Sequence, residues 1–232
     1  MAQTCLWIVA LPVAAFIIQV FLGKRLPRQG DWISVLAIAG SCVLAAPIFF
    51  SFVKTGAVHD TLSFVWISIP QITRLGEGHF QIVIGTLVNN LTAIMLMMVT
   101  FVCMLIHIYS VGYMKGEVRY HLFFAYISLF SAAMLGFVVS DNLLTFFIFW
   151  EIMGLCSYLL IGFYIEKPSA NQASLKAFMT TRVGDVCFFL GICGVLYIFG
   201  TLNFEQIYSA ISLSEVSDET ILGIPVLHFH SD

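Results

Sequence analysis

The sequence has little charge. Asp, Glu, Lys and Arg make up 10 % of its 232 residues, and the formal net charge is −3. The chain is 60 % hydrophobic with a mean hydropathy of +0.98, and a water-soluble globule of this size could not cover so much apolar surface. The weak charge, with no basic cluster among aromatics, excludes nucleic acid as an expected partner. The composition therefore predicts an integral membrane protein that contacts the lipid bilayer.

Motifs for cofactors, metals and nucleophilic catalysis are also lacking. There is no G-x-G-x-x-G, no P-loop and no nucleophile elbow. The six cysteines form no C-x-x-C pair and lie in apolar runs, so we interpret them as reduced packing residues. His228 and His230 form an H-x-H pair without further residues that complete a ligand set. We expect neither a metal site nor redox chemistry in this chain.

What the chain does contain is a series of apolar runs of about 17 to 25 residues, the length that crosses a bilayer. Five are clear: 5–22, 32–53, 86–109, 122–139 and 143–164. A sixth, 174–199, is weaker because it contains three charged residues. The first run lacks a charged n-region, so we interpret it as an uncleaved span. The pattern predicts an all-α, polytopic protein with about six transmembrane helices in one membrane domain.

The stretch between the second and third runs is too polar and broken to cross. Its segments TLSFVWISIP and HFQIVIG are rich in β-branched and aromatic residues and flank the turn-like RLGEGH. This pattern predicts a short external β-hairpin, with an irregular loop as the alternative. We accordingly divide the chain into two N-terminal spans (1–53), the external hairpin or loop (54–85) and the third span with its cytoplasmic loop (86–120). The start of the next group of spans (121–199) and an external tail (200–232) follow.

Positive charge in the loops predicts the orientation, because Lys and Arg collect on the cytoplasmic side. The intervening loops offer only Lys54 and Arg74. The first, third and fifth loops carry Lys24, Arg25, Arg28, Lys115, Arg119 and Lys167. The N-terminus is therefore expected outside, and so is the tail after Gly200, which contains acidic residues and neither Lys nor Arg.

One carboxylate, Glu151, interrupts the fifth run. It lies eight residues after Leu143, or about 12 Å along a helix, near the membrane midplane, where a charge costs roughly 2.5 to 3.5 kcal/mol. Gly154 and Tyr158 share its helical face, which would leave room for a neighbouring helix and supply a hydroxyl. We interpret Glu151 as a group that accepts and releases a proton. A structural carboxyl group hydrogen-bonded between helices is the alternative.

The sixth run carries candidate partners for this glutamate. Arg182 and Asp185, at positions i and i+3, share a helical face and can pair with each other or bridge to Glu151. Lys176 lies two and a half turns from Asp185 and points elsewhere, either as a relay or as a lysine that snorkels to the interface. His107, at the end of the third run, is a candidate relay or a hydrogen-bonded structural residue.

The runs W-E-x-x-G-L-C-S-Y-L-L-I-G-F, around Glu151, and K-A-F-x-x-T-R-V-G-D, through Asp185, resemble the L-subunit (chain 5) family of the proton-pumping NADH-quinone oxidoreductase, respiratory complex I. The resemblance is strong over residues 80–205. It implies an antiporter-like fold in which Glu151 matches the essential membrane glutamate of the family. Arg182 and Asp185 match polar residues of the following helix, which interact with the site of that glutamate.

The resemblance implies a subunit of a translocase that takes part in proton translocation coupled to electron transfer from NADH to quinone. The expected partners are other membrane subunits of complex I. NADH, FMN, iron-sulfur clusters and quinone are expected in other subunits, with no cofactor in this chain. The expected location is the inner membrane of a bacterial cell rather than that of a mitochondrion.

Two departures from the family pattern affect this interpretation. Asn89 stands where the family usually has an Asp. The family also continues through further helices, including one with a buried lysine, so the chain is expected to be an N-terminal fragment, a truncated gene product or half of a split subunit. The alternatives are an A-type subunit of a multi-component sodium/proton antiporter and a non-conducting membrane scaffold.

Overall fold

The computed structural model describes residues 1–73, 76–213, 220–221 and 224–225, with side chains for 1–66 and 83–211. Six of its helices are long and apolar enough to cross a membrane. They are α1 (Ala2–Leu22), α2 (Asp31–Thr55), α3 (Asn90–Tyr113), α4 (Tyr120–Val139), α5 (Leu143–Ile161) and α6 (Pro168–Phe199). A short amphipathic helix, α7 (Phe204–Leu213), follows them. The prediction of a helical, multi-pass membrane protein is confirmed.

Several predicted boundaries are wrong, and capping explains the clearest case. The third span was expected from residue 86, but α3 begins at Asn90 because Asn89 caps it: the Asn89 Oδ1 accepts a hydrogen bond from Thr92 N at 2.9 Å. The fifth span ends at Ile161 rather than 164. The sixth begins at Pro168 rather than 174, since proline at the first helical position is preorganised for a helix.

The predicted hairpin is present and longer than expected. Strand β1 (Asp60–Thr73) pairs antiparallel with β2 (Gly76–Val88), from Asp60 opposite Val88 to Thr73 opposite Gly76. The alternative of an irregular loop is thereby wrong, and the segment 76–79, expected in the turn, lies in β2. Residues 74 and 75 lie outside the described residues. Two further short strands, β3 (Thr220–Ile221) and β4 (Ile224–Pro225), pair with each other.

Helix α4 is the centre of the bundle and contacts α1, α2, α3 and α5. The main core cluster contains buried residues from α1 to α4 and includes Ile8, Ile38, Leu96 and Leu135. Small polar residues also join the helices, as where Ser34 of α2 and Ser128 of α4 share a buried hydrogen bond of 2.7 Å. Helix α5 packs on α4, α6 packs on α5, and both bury less of their surface than the other four spans.

The cysteines fit the packing interpretation only in part. All six are free. Four are buried, namely Cys5, Cys42, Cys103 and Cys156, whereas Cys187 and Cys193 are exposed on α6. Cys187 and Cys193 are therefore not packed against other described residues of this chain. His228 and His230 lie outside the described residues, and the described part of the chain contains no group of three metal-ligating side chains.

Contacts place the N-terminus, the hairpin, the α4–α5 connection and the start of α7 on one face of the bundle, here called the hairpin face. The amino group of Met1 lies 2.9 Å from the Asp60 carboxylate. The Leu143 N–H donates to the Leu202 carbonyl at 2.9 Å. His59 Nε2 lies 2.8 Å from Glu205 Oε1. The connections at 23–30, 114–119 and 162–167 lie at the opposite face, because each helix crosses once.

Candidate functional site

The hairpin face determines where α5 begins. Asn142 caps this helix, since its Oδ1 accepts a hydrogen bond from Thr145 N at 2.8 Å. The same side chain donates through Nδ2 to the Val83 carbonyl of β2 and to Asp141 Oδ1. Glu151 then lies eight residues after Leu143 and ten before Ile161, or about 12 Å and 15 Å from the two ends of the helix.

Glu151 forms an ion pair with Arg182 of α6. Arg182 Nη1 contacts Glu151 Oε2 and also lies 3.6 Å from Asp185 Oδ2. The side chains are partly shielded, with exposed fractions of 24 % for Glu151, 32 % for Arg182 and 11 % for Asp185. The structure therefore brings together the three residues that the sequence analysis singled out, and one guanidinium lies between two carboxylates.

Aromatic rings surround this cluster. The Arg182 guanidinium lies over the Phe178 ring at 4.4 Å, which is cation–π geometry. Trp150 Nε1 donates a hydrogen bond to Asp185 Oδ1 at 2.9 Å. The Arg182 Nε is buried and has no hydrogen-bond partner among the described residues. The guanidinium is thus held by charge and by a ring face rather than by a full set of hydrogen bonds.

Trp150 was missed by the sequence analysis. Its position directly before Glu151 places it about 100° away around the helix, so a search along the face of Glu151 passes over it. The available signal was chemical, because a tryptophan N–H inside a membrane needs a hydrogen-bond acceptor, and Asp185 is a carboxylate on the neighbouring helix.

The two proposed relay residues lie outside the cluster. Lys176 is exposed on α6 and makes no ion pair with any described residue. His107 is 1 % exposed, and its Nδ1 lies 2.7 Å from the Cys103 carbonyl, with no partner for Nε2 among the described atoms. Helix α3 continues six residues beyond His107, to Tyr113, and not only to residue 109 as expected. Their roles as relays stay predictions.

Gly154 and Tyr158, the two residues expected on the helical face of Glu151, have different surroundings in the structure. No described atom lies within 4 Å of a Cβ built on Gly154, so the expected close approach of a helix there is absent from the described part of the chain. Tyr158 packs its ring on Phe178 with 5.1 Å between centroids. Because Phe178 also lies under Arg182, Tyr158 contributes to the ring platform of the site.

Another buried carboxylate, Asp141, lies at the hairpin face. It is 5 % exposed, and its Oδ1 accepts hydrogen bonds from Gly85 N at 3.0 Å and from Asn142 Nδ2 at 2.7 Å. Burial raises the pKa of the Asp141 carboxyl, with the charge of Glu205 acting in the same direction. Asp141 thus joins the hairpin to the start of α5.

Comparison with known proteins identifies the family to which the sequence belongs. Residues 75–124 match the family model for the N-terminus of chain 5 of NADH-ubiquinone oxidoreductase (complex I). Residues 140–229 match the model for the transmembrane region of NADH:quinone oxidoreductases and Mrp antiporters. The chain belongs to the subunit L (chain 5) family of NADH:quinone oxidoreductases.

Individual relatives of the subunit L family are similar over nearly the whole chain. Subunit L of the F(420)H(2) dehydrogenase of Methanosarcina mazei is 40 % identical over 94 % of this chain and 32 % of its own length. NADH-quinone oxidoreductase subunit L of Neisseria meningitidis serogroup B is 39 % identical over 96 % of this chain and 32 % of its own length. The chain thus spans about a third of the length of the curated relatives it matches.

Solved structures support the antiporter-like fold of the subunit L family. A chain of the membrane-bound sulfane sulfur reductase, an archaeal respiratory membrane complex, superposes with a TM-score of 0.71 at 17 % identity, covering 93 % of this chain and 41 % of that one. A chain of the Mrp complex from Dietzia sp. superposes with a TM-score of 0.64 at 22 % identity, covering 89 % and 21 %. At these identities the likeness shows the fold alone.

Proposed function

We propose that this chain is a membrane subunit of an NADH:quinone oxidoreductase and takes part in proton translocation coupled to electron transfer. The observation that carries the proposal is the ion pair of Glu151 and Arg182, shared with Asp185, in the middle of a membrane helix. Ionisable residues at that depth are costly, and they mark ion pathways more often than structural sites.

The charges of the cluster suit a proton carrier. With both carboxylates ionised, the three side chains carry one net negative charge, which a low-dielectric environment disfavours. One proton on Glu151 would remove that charge and weaken the attraction that holds Arg182 on Glu151. The guanidinium would then close on Asp185, whose Oδ2 lies only 3.6 Å away. Arg182 therefore alternates between two partners according to the protonation of Glu151.

We further propose that the redox groups belong to other subunits. NADH, FMN, iron-sulfur clusters and quinone are assigned to partner subunits, and this chain supplies only groups that move protons. The relative from Methanosarcina mazei is named for F(420)H(2) rather than NADH, and its similarity over this chain equals that of the Neisseria relative within one per cent identity. Similarity over these helices therefore does not select the electron donor, and we propose NADH on the names of the relatives of the NADH-quinone oxidoreductase type.

The proposed location is the inner membrane of a bacterial cell, with the hairpin face outside. The argument is the distribution of positive charge, because the opposite face carries most of the Lys and Arg of the connections. In this orientation the cluster lies between a basic cytoplasmic face and an acidic outer face.

The test replaces Glu151 with Gln in the complex that contains this chain. Gln preserves size and hydrogen bonding but cannot carry the charge, so the number of protons pumped per electron should fall at least tenfold. Assembly, followed by co-purification of the other subunits, should stay within twofold. The matched control is Glu166→Gln, since Glu166 is exposed in the connection after α5 and makes no ion pair with a described residue.

Two results would contradict the proposal. Unchanged pumping in Glu151→Gln, with electron transfer intact, would exclude Glu151 from the proton path. Failure of the complex to assemble, with Glu166→Gln assembling normally, would assign Glu151 a structural role between helices.

A further inference from the structure

The two oxygens of the Asp185 carboxylate have different partners. Oδ1 accepts a hydrogen bond from Trp150 Nε1 at 2.9 Å, while Oδ2 lies 3.6 Å from Arg182 Nη1. Asp185 and Arg182 are three residues apart on one helix, a spacing at which close ion pairs form readily. Arg182 nevertheless also contacts Glu151, on the other helix. Asp185 therefore shares the arginine with Glu151 instead of holding it alone.

The Trp150 indole is placed to hold the Asp185 carboxylate. Its ring packs against Phe137 of α4, at a centroid distance of 5.9 Å, and against Phe188 of α6, at 6.2 Å. The indole therefore contacts rings on two other helices, and that packing orients its N–H. A fixed donor on α5 draws the Asp185 carboxylate toward α5 and away from the guanidinium.

We propose that Trp150 is a positioning residue for the proton cycle. It occupies one oxygen of Asp185, so that Arg182 stays on Glu151 until Glu151 takes up a proton. Without the indole N–H, the buried carboxylate of Asp185 loses a donor, and Arg182 is the cation within 4.0 Å that can replace it. Arg182 would then stay on Asp185 and respond weakly to Glu151. This role rests on the proposed function, but the hydrogen bond itself can be tested separately.

The first experiment is independent of pumping. The chain contains four tryptophans, so its 15N-labelled form in nanodiscs should give four indole N–H signals by NMR, and Trp150→Phe identifies that of Trp150. We expect that signal to move in Asp185→Asn and to stay in place in Glu166→Gln. It should also move in Glu151→Gln, because the released Arg182 then competes for Asp185. If the Trp150 indole signal keeps its position in both Asp185→Asn and Glu151→Gln, the proposal is overturned.

The second experiment measures pumping by Trp150→Phe in the assembled complex. A hydrogen bond to a charged group contributes enough to change an equilibrium about tenfold, so the protons pumped per electron should fall at least about threefold, with assembly unchanged. Trp32→Phe is the matched control, since Trp32 is also 44 % exposed and its indole donates to no described residue.

The outcomes separate this inference from the proposed function. If Glu151→Gln abolishes pumping and Trp150→Phe does not alter it, the positioning role is wrong and the proposed function stands. If neither variant alters pumping, the proposed function fails and the positioning role fails with it, whatever the NMR signals show about the hydrogen bond. A loss of pumping of equal size in Trp32→Phe would reduce Trp150 to a packing residue.

Discussion

A substitution at Gly136 of α4 tests how α5, the helix that carries Glu151, packs against α4. A Cβ built at Gly136 would overlap the Phe149 ring of α5, with Cδ1 at 2.7 Å and two further ring atoms closer still. Phe149 is two residues before Glu151, so a shift of the ring to admit the new methyl group disturbs the packing between α4 and this part of α5. The prediction is that Gly136→Ala destabilises the chain although alanine favours the helix.

The magnitude follows from two opposing terms. Replacing Gly by Ala inside a helix stabilises it by about 0.8 to 1.0 kcal/mol, and overpacking a well-filled contact costs about 1 to 3 kcal/mol. Gly154→Ala on α5 has the same first term and no second term, because no described atom lies within 4 Å of its new Cβ. The two variants should therefore differ by about 1 to 3 kcal/mol, or roughly 5- to 150-fold in the folded-to-unfolded ratio.

The assay is reversible unfolding of the purified chain in bicelles by steric trapping, with both variants measured against the parent. The double variant Gly136→Ala with Phe149→Leu should regain part of the loss, since leucine leaves space beside the new methyl group. Equal stabilities of Gly136→Ala and Gly154→Ala would refute the description of the α4–α5 contact.

Two further predictions concern the faces of the bundle. Burial raises the pKa of Asp141 above its usual 3.8, so the stability that this group contributes is full below that pH and is lost as the pH rises through the folded-state pKa. Asp141→Asn should therefore lose less stability than the parent between pH 4 and pH 7 in thermal unfolding, and an unchanged pH dependence would contradict the raised pKa. For orientation, a cysteine at Lys24 should react with a membrane-impermeant maleimide only from the cytoplasmic side, and one at His59 only from outside, in a background without native cysteines. The reverse pattern would overturn the proposed orientation.

The helices could be predicted from the sequence because the membrane imposes a length and a composition on every span. Their ends could not, since caps and strands determine them. Residues 86–88 continue the apolar run of the third span, yet they belong to β2 and pair with β1. The side chain of Asn89 then caps the N-terminus of α3. A hydropathy window does not distinguish an apolar strand from an apolar helical turn.

The same Asn89 clarifies the first departure from the family pattern. An Asn and an Asp both cap a helix, because each offers a side-chain oxygen to the free N–H groups. The hydrogen bond to Thr92 N therefore survives the exchange, and what this chain loses at the position is the charge. The resemblance to the family implies the missing charge, and the structure adds the retained cap.

Glu151, Arg182 and Asp185 could be found from sequence because charged residues in apolar runs are conspicuous and helical spacing places two of them on one face. Trp150 could not be found by the same reasoning. Apolar runs are rich in aromatic residues, and only the rotation of α5 against α6 shows which ring N–H meets a carboxylate.

The position of Glu151 depends on contacts far from it along the same helix. Asn142 and Asp141 fix the start of α5 to the hairpin, the Leu202 carbonyl holds the first N–H of the helix, and Phe149 presses on Gly136. Together these contacts set the height and the rotation of α5, and Glu151 lies about 12 Å along it from its first residue, Leu143. An ion pair tolerates little displacement before it weakens. The hairpin face is therefore joined to the proposed proton site by one continuous helix, although no hairpin residue contacts Glu151 among the described side chains.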